Sequence, residues 1–501
     1  MALLACILGS GIALLDTTAV NVALPAIERD LGGGLAAQQW IVNIYLLALG
    51  SLLLVGGSLA DVYGERLVFA VGVTSFGAAS VLCALAPTSG ALIAARGLQG
   101  VTGALLVPSA LAVIVHVFPD ARRASAVGRW AAWSGVSAVI GPVVGGWLVD
   151  TASWRLVFAV NVPFVVVTVL LVLRAVPARP RPKAPRRVDV VGGLLCALGL
   201  AGPVYALIEE PSRGWSDPVV IVAFVGGLLL LGVFMWWERR TPDPMLPLDL
   251  FHRRAFSVGN VYTLVTYAAL GLVVFFLTLF LQGVGGYSAL EAGLAVAPMS
   301  CILLLLASRV GHLASVHGAR PFLVVGPLLF GCGALLMLRL GPDPTYVTDV
   351  LPIPVLCGLG LSCFVAPLTT TVVVGVESAY AGIASGVNNA VARIAGMLAT
   401  AVVGVLVASV YITTLDAHAP DAPPAAVAAV DAVRDAPFRM PDTAGLPPEA
   451  AAQAEQAAVI ASEDAIDAVA LVAAALLALG SIVAGVGLRP RRARAPAPAP
   501  A

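Results

Sequence analysis

Long apolar runs, separated by short polar segments, follow one another along almost the whole chain. A helix that crosses the hydrocarbon core of a membrane needs about 20 apolar residues. The runs predict fourteen such helices, at approximately 3–24, 40–60, 67–86, 91–115, 127–149, 155–174, 190–208, 218–237, 256–281, 292–308, 322–339, 351–375, 383–412 and 465–487. The pattern is therefore that of an all-α integral membrane protein.

Composition agrees with this interpretation. Charged residues make up 11% of the 501 positions and hydrophobic residues 59%. A soluble domain carries about 25% charged residues, because its surface must face water. A chain so poor in charge is surrounded mainly by lipid, so its partners include the lipid bilayer.

The distribution of basic residues predicts the orientation, because Lys and Arg collect in cytoplasmic loops. With the amino terminus inside, the inner segments hold 20 of the 28 Lys and Arg residues and the outer segments hold 6. We therefore expect an even number of helices in the cell (inner) membrane, with both termini in the cytoplasm.

Composition shifts divide the chain into segments. A Pro- and Arg-rich stretch predicts a cytoplasmic connector, and a stretch rich in Ala, Pro and Asp predicts a long outer loop that is solvated and only partly ordered. The predicted segments are a six-helix bundle at 1–175, the connector at 176–189, an inserted helix pair at 190–240, a second six-helix bundle at 241–487 containing the outer loop 413–464, and a basic Pro/Ala cytoplasmic tail at 488–501.

An internal repeat supports the two bundles. The segments 57–72 and 311–326 align at a constant offset of 254, with eight of sixteen positions identical. The repeat pairs helices 1–6 with helices 9–14 and leaves helices 7 and 8 as an insertion. Two such bundles, related by an axis along the membrane normal, predict a cavity between them with alternating access from the two sides.

Ionisable groups inside a bilayer are costly, so each one is a candidate functional residue. Asp16 lies in the first span, where burial favours the neutral acid and suits a group that binds and releases a proton; a structural ion pair is the alternative. Arg96 and Gln99 share one face of the fourth span. Their role is either to couple proton binding to transport or to hold neighbouring helices together. Arg393 is interpreted as the counterpart of Arg96 in the second half, where a structural role is favoured.

Two glycine-containing motifs predict mobile or close-packed regions. Asp61 lies between Gly57 and Gly64, with Arg66 following, in what the spacing predicts to be a tight inner loop and inner gate; a plain turn with a capping Asp is equally consistent. The fifth span carries the second motif, whose proline interrupts the backbone ladder and whose glycines permit close packing. It consists of Gly141, Pro142, Gly145 and Gly146.

The sequence lacks the residues that ATP binding, metal binding or enzymatic catalysis would require. The single lysine, Lys183, has no glycine-rich phosphate-binding loop, so no ATP site is predicted. The five His residues are scattered, and no metal site, cofactor site or enzyme motif is found. A net charge of zero gives no reason to expect nucleic acid as a partner. We expect a monomer that uses no cofactor.

Several motifs in order resemble the fourteen-helix drug:proton antiporter branch of the major facilitator superfamily. The likeness covers nearly the whole chain, from Leu15-Asp16-x-Thr18 and the 57–66 segment through Arg96-x-x-Gln99-Gly100 and Gly141-Pro142-x-x-Gly145-Gly146 to Trp154-Arg155, Asn161-x-Pro163, Glu238-Arg239-Arg240 and Gly286-Tyr287-Ser288. The resemblance implies two six-helix bundles with an inserted pair, and export of small hydrophobic or cationic drug-like molecules in exchange for protons.

The chain departs from that pattern at Val62 and Glu65, where the family usually has Arg, and at Ser137 and Ser315. The first two changes remove positive charge from the predicted inner gate. The alternative functions are a carrier of the same fold for a single dedicated metabolite and a multi-pass membrane enzyme. The enzyme would need clustered His, Asp or Lys side chains at an interface, and the sequence shows no such cluster.

Overall fold

The computed structural model describes residues 1–177, 188–373, 381–418 and 424–488. Helices account for most of these ranges. They are α1 (Ala2–Leu31), α2 (Gly34–Tyr63), α3 (Glu65–Ala84), α4 (Ser89–Gly103), α5 (Leu106–Val117), α6 (Asp120–Thr151), α7 (Arg155–Ala159), α8 (Asn161–Ala175), α9 (Val190–Arg213), α10 (Pro218–Arg240), α11 (Arg254–Gly283), α12 (Ala289–His317), α13 (Ala319–Leu335), α14 (Pro352–Val373), α15 (Ala381–His418), α16 (Pro424–Asp431) and α17 (Pro448–Gly487). The predicted connector and tail fall largely on 178–187 and 489–501, outside the described residues.

Thirteen helical segments in the described part of the chain are long and apolar enough to cross a membrane. The α4–α5 and α7–α8 pairs each form one of these segments. The remaining predicted span, 127–149, corresponds to α6, whose apolar part is the shorter stretch Val139–Thr151. Its first turns carry basic residues, which lowers their hydropathy, but its 32 residues make a helix about 48 Å long.

The helices form two bundles with the same internal packing. In the first, α1 packs on α6 and α8, and α3 packs on α4 and α8. In the second, α11 packs on α15 and α17, and α13 packs on α14 and α17. The bundles meet where α6 packs on α12 and α15 packs on α2. The predicted all-α membrane fold of two six-helix bundles is confirmed.

The inserted pair α9–α10 packs against the seam between the bundles. Besides α10, α9 contacts α2 of the first bundle and α15 of the second. One polar contact there joins Trp40 Nε1 to Glu209 Oε1 at 3.1 Å. The face of α10 away from α9 is apolar and exposed, as expected of a helix that borders lipid.

The internal repeat is visible in the backbone. Gly64, between α2 and α3, has φ 91° and ψ 135°, and Gly318, between α12 and α13, has φ 89° and ψ 152°. A positive φ of this kind favours glycine. Two residues later, Arg66 donates to the carbonyl of Leu173 in α8, and Arg320 donates to that of Gly485 in α17. Each arginine thus fastens the end of the last helix of its own bundle.

The prediction that 413–464 is a solvated loop is wrong for the residues that the structure describes. Helix α15 continues to His418 and α17 begins at Pro448, so much of the segment is helical. The described residues between them, 424–447, form what we call the outer cap. Its Phe438 is 2% exposed and contacts Phe276 and Phe280 of α11. The prediction failed because the composition of an alanine-rich helix that packs against other helices resembles that of an alanine-rich solvated loop.

Candidate functional site

The carboxylate of Asp16 is completely buried in the middle of the first bundle. Its Oδ2 accepts from Arg96 at 2.5 Å, and its Oδ1 accepts from Gln99 and Asn161, each at 2.9 Å. Both oxygens of the carboxylate are therefore hydrogen-bonded to side-chain donors from other helices. The structure therefore brings together the predicted residues Asp16, Arg96 and Gln99.

Arg96 is 1% exposed and is held on every side. Its Nε donates to the carbonyl of Ile41 at 3.1 Å, and its Nη1 donates to Gln99 Oε1 at 2.6 Å as well as to Asp16. The guanidinium also stacks on the ring of Tyr45, with Cζ 4.1 Å from the ring centroid. A planar guanidinium can make all these contacts at once. Helices α1, α2 and α4 thus meet at this one side chain.

Two further members of the site were missed by sequence reasoning. Ser80 Oγ accepts from Gln99 Nε2 at 2.9 Å and from Asn161 Nδ2 at 3.3 Å. Both Ser80 and Asn161 are fully buried. Asn161 was visible only as part of a family motif, whereas Ser80 carried no signal, since serine is common in membrane helices. We call Asp16, Ser80, Arg96, Gln99 and Asn161 the Asp16 cluster.

Arg393 lies outside the Asp16 cluster, at the seam between the bundles. A Cβ placed on Gly50 of α2 would lie 3.6 Å from the Cβ of Arg393. Its side chain is half-buried, and among the described residues it makes no hydrogen bond or ion pair. Tyr45, the residue on which Arg96 stacks, also lies in the neighbourhood of Arg393.

The interpretation of Arg393 as the counterpart of Arg96 is wrong. Arg96 is on the fourth span, whose repeat partner is α14, whereas Arg393 is on α15, the partner of α6. Similar glycine and amide neighbours in sequence suggested a match that the topology does not support. The structure instead places Arg393 on a helix that packs against the other bundle.

A buried polar contact joins α2 and α15 nearer their predicted outer ends. Gln39 Nε2 donates to the carbonyl of Thr400 at 2.8 Å, and the Thr400 hydroxyl donates to Asn43 Oδ1 at 3.0 Å. Gly404 leaves room for the Gln39 amide, because a Cβ there would lie 1.8 Å from its nitrogen. The two bundles are thus held together by specific hydrogen bonds along this seam.

The predicted inner gate is built differently from the expected loop. Residues Gly57 to Tyr63 belong to α2, and only Gly64 separates α2 from α3. Asp61 is therefore in the last turn of a helix, exposed, and does not cap α3, whose N-cap is Gly64. The glycine-rich spacing suggested a turn, but helices of a membrane bundle tolerate glycine at close contacts.

The motif on α6 lies at two tight helix contacts. Additional Cβ atoms on Gly141 and Gly145 would lie within 3 Å of Thr18 and Ala19 in α1. A Cβ on Gly146 would lie 2.5 Å from the Ala289 carbonyl oxygen at the start of α12. Pro142 is inside α6, which continues through it, and its carbonyl faces Gly293 of α12.

Several contacts close the predicted outer side between the bundles. The Asp150 carboxylate accepts from the backbone N–H groups of Ala289 at 3.1 Å and Leu290 at 2.7 Å, so α6 caps the first turn of α12. Gln282 of α11 donates to the carbonyl of Val22 in α1 at 3.0 Å.

The outer cap adds to this closure. Arg439 Nη1 lies 2.8 Å from Glu28 Oε1 of α1, and the Leu35 N–H donates to the Asp435 carbonyl. Arg434 of the cap donates to both oxygens of Asp416 in α15, and this contact raises the pKa of Arg434. The cap therefore connects the second bundle to α1 and to the α1–α2 turn.

A small cavity in the second bundle, between α11, α12 and α14, has a volume of about 10 Å³. Its walls are apolar and include Val273, Leu277, Met299 and Ile353. Pockets for drug-sized ligands have volumes of about 300–1,000 Å³. The cavity is far smaller than such a pocket.

Comparison with known proteins gives consistent matches. The sequence profile of the Major Facilitator Superfamily matches residues 6–400. The puromycin resistance protein of Streptomyces alboniger is 39% identical over 394 residues, covering 77% of this chain and 78% of that protein. The multidrug resistance protein Stp of Mycobacterium tuberculosis is 34% identical over 83% of this chain and 78% of its own length.

The tetracenomycin C resistance and export protein of Streptomyces glaucescens is 35% identical, covering 81% of this chain and 76% of that protein. Among solved structures, a bacterial homologue of the human lysosomal transporter Spinster, in an inward-facing and unoccupied conformation, superposes with a TM-score of 0.68. That match has 16% sequence identity and covers 96% of both chains, so it speaks for the fold alone.

Proposed function

The chain belongs to the major facilitator superfamily, and from this we propose that it is a proton-coupled antiporter that exports small hydrophobic or cationic drug-like molecules. The relatives named above are resistance and export proteins. Their names support export, and the apolar walls of the second bundle support hydrophobic substrates. The coupling to protons is supported by the Asp16 cluster, which is the observation that carries the proposal.

The Asp16 cluster contains a carboxylate that a proton would change decisively. As an anion, Asp16 accepts bonds from Arg96, Gln99 and Asn161. A proton on Oδ2 would compete with the Arg96 guanidinium for the same oxygen. Protonation of Asp16 therefore weakens the attachment of α1 to α4, and deprotonation restores it.

The position of Arg96 offers a route from the proton site to the second bundle. Arg96 stacks on Tyr45, and Arg393 of α15 lies in the neighbourhood of Tyr45 across the seam. Freed from Asp16, the Arg96 guanidinium changes its position on Tyr45, and the α2–α15 contact changes with it. We propose that this sequence links proton binding to the movement of one bundle against the other.

The energy available from protons is sufficient for export. Moving one charge through 100 mV supplies about 2.3 kcal/mol. Since about 1.4 kcal/mol corresponds to a tenfold concentration ratio, one proton per molecule would sustain a gradient of roughly 50-fold. No site for ATP is needed for such a transporter.

A carrier dedicated to one compound is the second candidate. Two of the relatives, from Streptomyces alboniger and Streptomyces glaucescens, carry the name of a single antibiotic. Growth of a drug-sensitive host with and without the protein, in a panel of chemically different toxic compounds, separates the two. Protection against one compound class alone would favour the dedicated carrier.

We also propose the setting in which the protein works. The basic-residue distribution supports a location in the inner membrane of the cell, with both termini and the 176–189 connector in the cytoplasm. Both bundles are present in one chain, so a monomer can form the complete transport path.

Uptake into inside-out membrane vesicles tests the proposal. An imposed proton gradient, acidic inside, should drive accumulation of a substrate, and collapse of the gradient with an uncoupler should release it. Accumulation that is unaffected by the uncoupler would contradict proton coupling.

A further inference from the structure

A second buried acidic pair lies far from the Asp16 cluster, at the predicted cytoplasmic ends of the inserted helices. Asp189 precedes α9 and is 8% exposed, and Glu238 lies in the last turn of α10 and is 3% exposed. Their carboxyl groups meet over Gly192, where an added Cβ would lie 2.4 Å from Asp189 Oδ2 and 2.7 Å from Glu238 Oε1.

One oxygen of each carboxyl group is already used. Asp189 Oδ1 accepts from the Gly192 N–H at 2.8 Å and from Trp237 Nε1 at 2.9 Å. Glu238 Oε2 accepts from the N–H of Leu246 at 2.9 Å, in the segment that leads to the second bundle. The other two oxygens, Asp189 Oδ2 and Glu238 Oε1, have no donor among the described residues.

No cation in the described structure neutralises this pair. The nearby basic side chains of α10, Arg239 and Arg240, are exposed, and Asp243 in the following segment is also exposed. Among the residues that the structure describes, the other titratable group nearby is Cys196 of α9. The remaining neighbours from α2 and the 241–247 segment are apolar and belong to one buried cluster; they are Leu52, Val55, Met245 and Leu246.

Two unpaired carboxylates cannot both remain ionised in such a site, because like charges in an apolar environment repel strongly. One proton shared between the two free oxygens removes the repulsion and converts it into a strong O–H···O⁻ hydrogen bond. We propose that Asp189 and Glu238 form a second proton-binding site, a shared-proton carboxyl pair that fastens the inserted helices to the start of the second bundle.

The pair has a structural consequence that depends on pH. With the shared proton present, Asp189 caps α9, Glu238 holds the Leu246 N–H, and Trp237 is fixed on Asp189. When the proton leaves, repulsion separates the two carboxylates and loosens these attachments. Deprotonation therefore costs more in the folded protein than in the unfolded chain, so this contribution to stability is lost as the pH rises.

Thermal unfolding of the purified, detergent-solubilised protein as a function of pH tests this proposal without measuring transport. Glu238→Gln keeps an acceptor for Leu246 and offers an amide N–H to Asp189, so it imitates the protonated pair at every pH. Relative to this variant, the wild type should lose a few degrees of unfolding temperature as the pH rises. Asp217→Asn is the matched control, because Asp217 caps α10 at the other end and has Arg213 as an ion-pair partner; it should behave as the wild type.

Two spectroscopic signals identify the pair directly. The wild type should show an infrared band of a protonated carboxylic acid that is absent from Glu238→Gln, and a pH-dependent tryptophan emission that Trp237→Phe abolishes. Asp189→Asn, which retains the cap acceptor, should lose the same two signals and serves if Glu238→Gln does not fold. Parallel pH profiles of wild type and Glu238→Gln, with the infrared band present in both, would overturn the proposal.

Discussion

The Asp16 carboxylate and the Arg96 guanidinium lie 2.5 Å apart, and neither side chain is more than 1% exposed. They come from α1 and α4, which are 80 positions apart in sequence. A buried charge without its partner is strongly destabilising, commonly by about 3–5 kcal/mol. Each of the two buried charges therefore needs the other as its partner. We attribute the coupling of proton binding to bundle movement to the separation of this ion pair.

Substitution of Arg96 should abolish transport while the protein still folds. In Arg96→Ala, Asp16 can take up a proton and avoid an unpaired charge, so the membrane-inserted protein persists. Arg96→Lys should retain a small part of the transport, because an ammonium can pair with Asp16 but cannot also bind Ile41 and stack on Tyr45 in the same way. Transport and membrane expression measured together check this; full transport by Arg96→Ala would make the residue a bystander.

Closure of the outer side should depend on Gly146. A Cβ at this position would lie 2.5 Å from the Ala289 carbonyl oxygen and from the Leu290 Cα, so Gly146→Val must push α6 and α12 apart. We expect at least a tenfold loss of transport, since about 1.4 kcal/mol of strain against the closed state suffices for that. Gly128→Val, on the same helix but with no atom within 4 Å of the added Cβ, is the matched control and should retain transport. Equal activity of both variants would show that this contact is dispensable.

The ion pair between Glu28 and Arg439 should hold the outer cap on the first bundle. In Glu28→Gln, we expect a thiol-reactive, membrane-impermeant reagent to label Val433→Cys faster, because Val433 of the outer cap is only 2% exposed while the cap is held in place. The double variant Glu28→Arg with Arg439→Glu should restore slow labelling. Arg213→Gln breaks an exposed pair on the inserted helices and should leave labelling unchanged. Slow labelling in every variant would show that this ion pair does not hold the outer cap on the first bundle.

The proposed topology predicts labelling from opposite sides. A cysteine at position 181, in the predicted connector, should react only when reagent reaches the cytoplasmic face. A cysteine at Asp431, an exposed residue of the outer cap, should react in intact cells. Both experiments use a version without native cysteines. Labelling of both positions from one side would refute the odd number of crossings predicted between them.

Much of the fold could be predicted because the lengths of the apolar runs and the repeat at an offset of 254 residues can both be read directly from the sequence. The offset proved to be a backbone feature: Gly64 and Gly318 share one unusual conformation. Some helices are longer than predicted: α1 continues past Glu28, and α17 begins at Pro448. These end segments are polar or alanine-rich and were therefore not counted as apolar runs, although they pack against other helices.

The candidate site was only partly predictable. Asp16, Arg96 and Gln99 stood out because charged and amide groups are rare in membrane helices. Ser80 did not, because its role depends on a neighbour 19 positions away. The position of Arg393 was misjudged because local neighbours do not reveal which bundle a helix faces.

The most direct test of the account is proton-driven uptake by Asp16→Asn in inside-out vesicles, measured with one cationic and one neutral substrate. Asparagine keeps the size of aspartate and can still accept bonds from Gln99 and Asn161, but it cannot titrate. We expect this variant to bind both substrates and to accumulate neither against a gradient, while Asp16→Glu retains partial activity with a shifted pH optimum. A loss confined to the cationic substrate would instead make Asp16 a substrate ligand. Unimpaired accumulation of both substrates by Asp16→Asn would contradict the central claim.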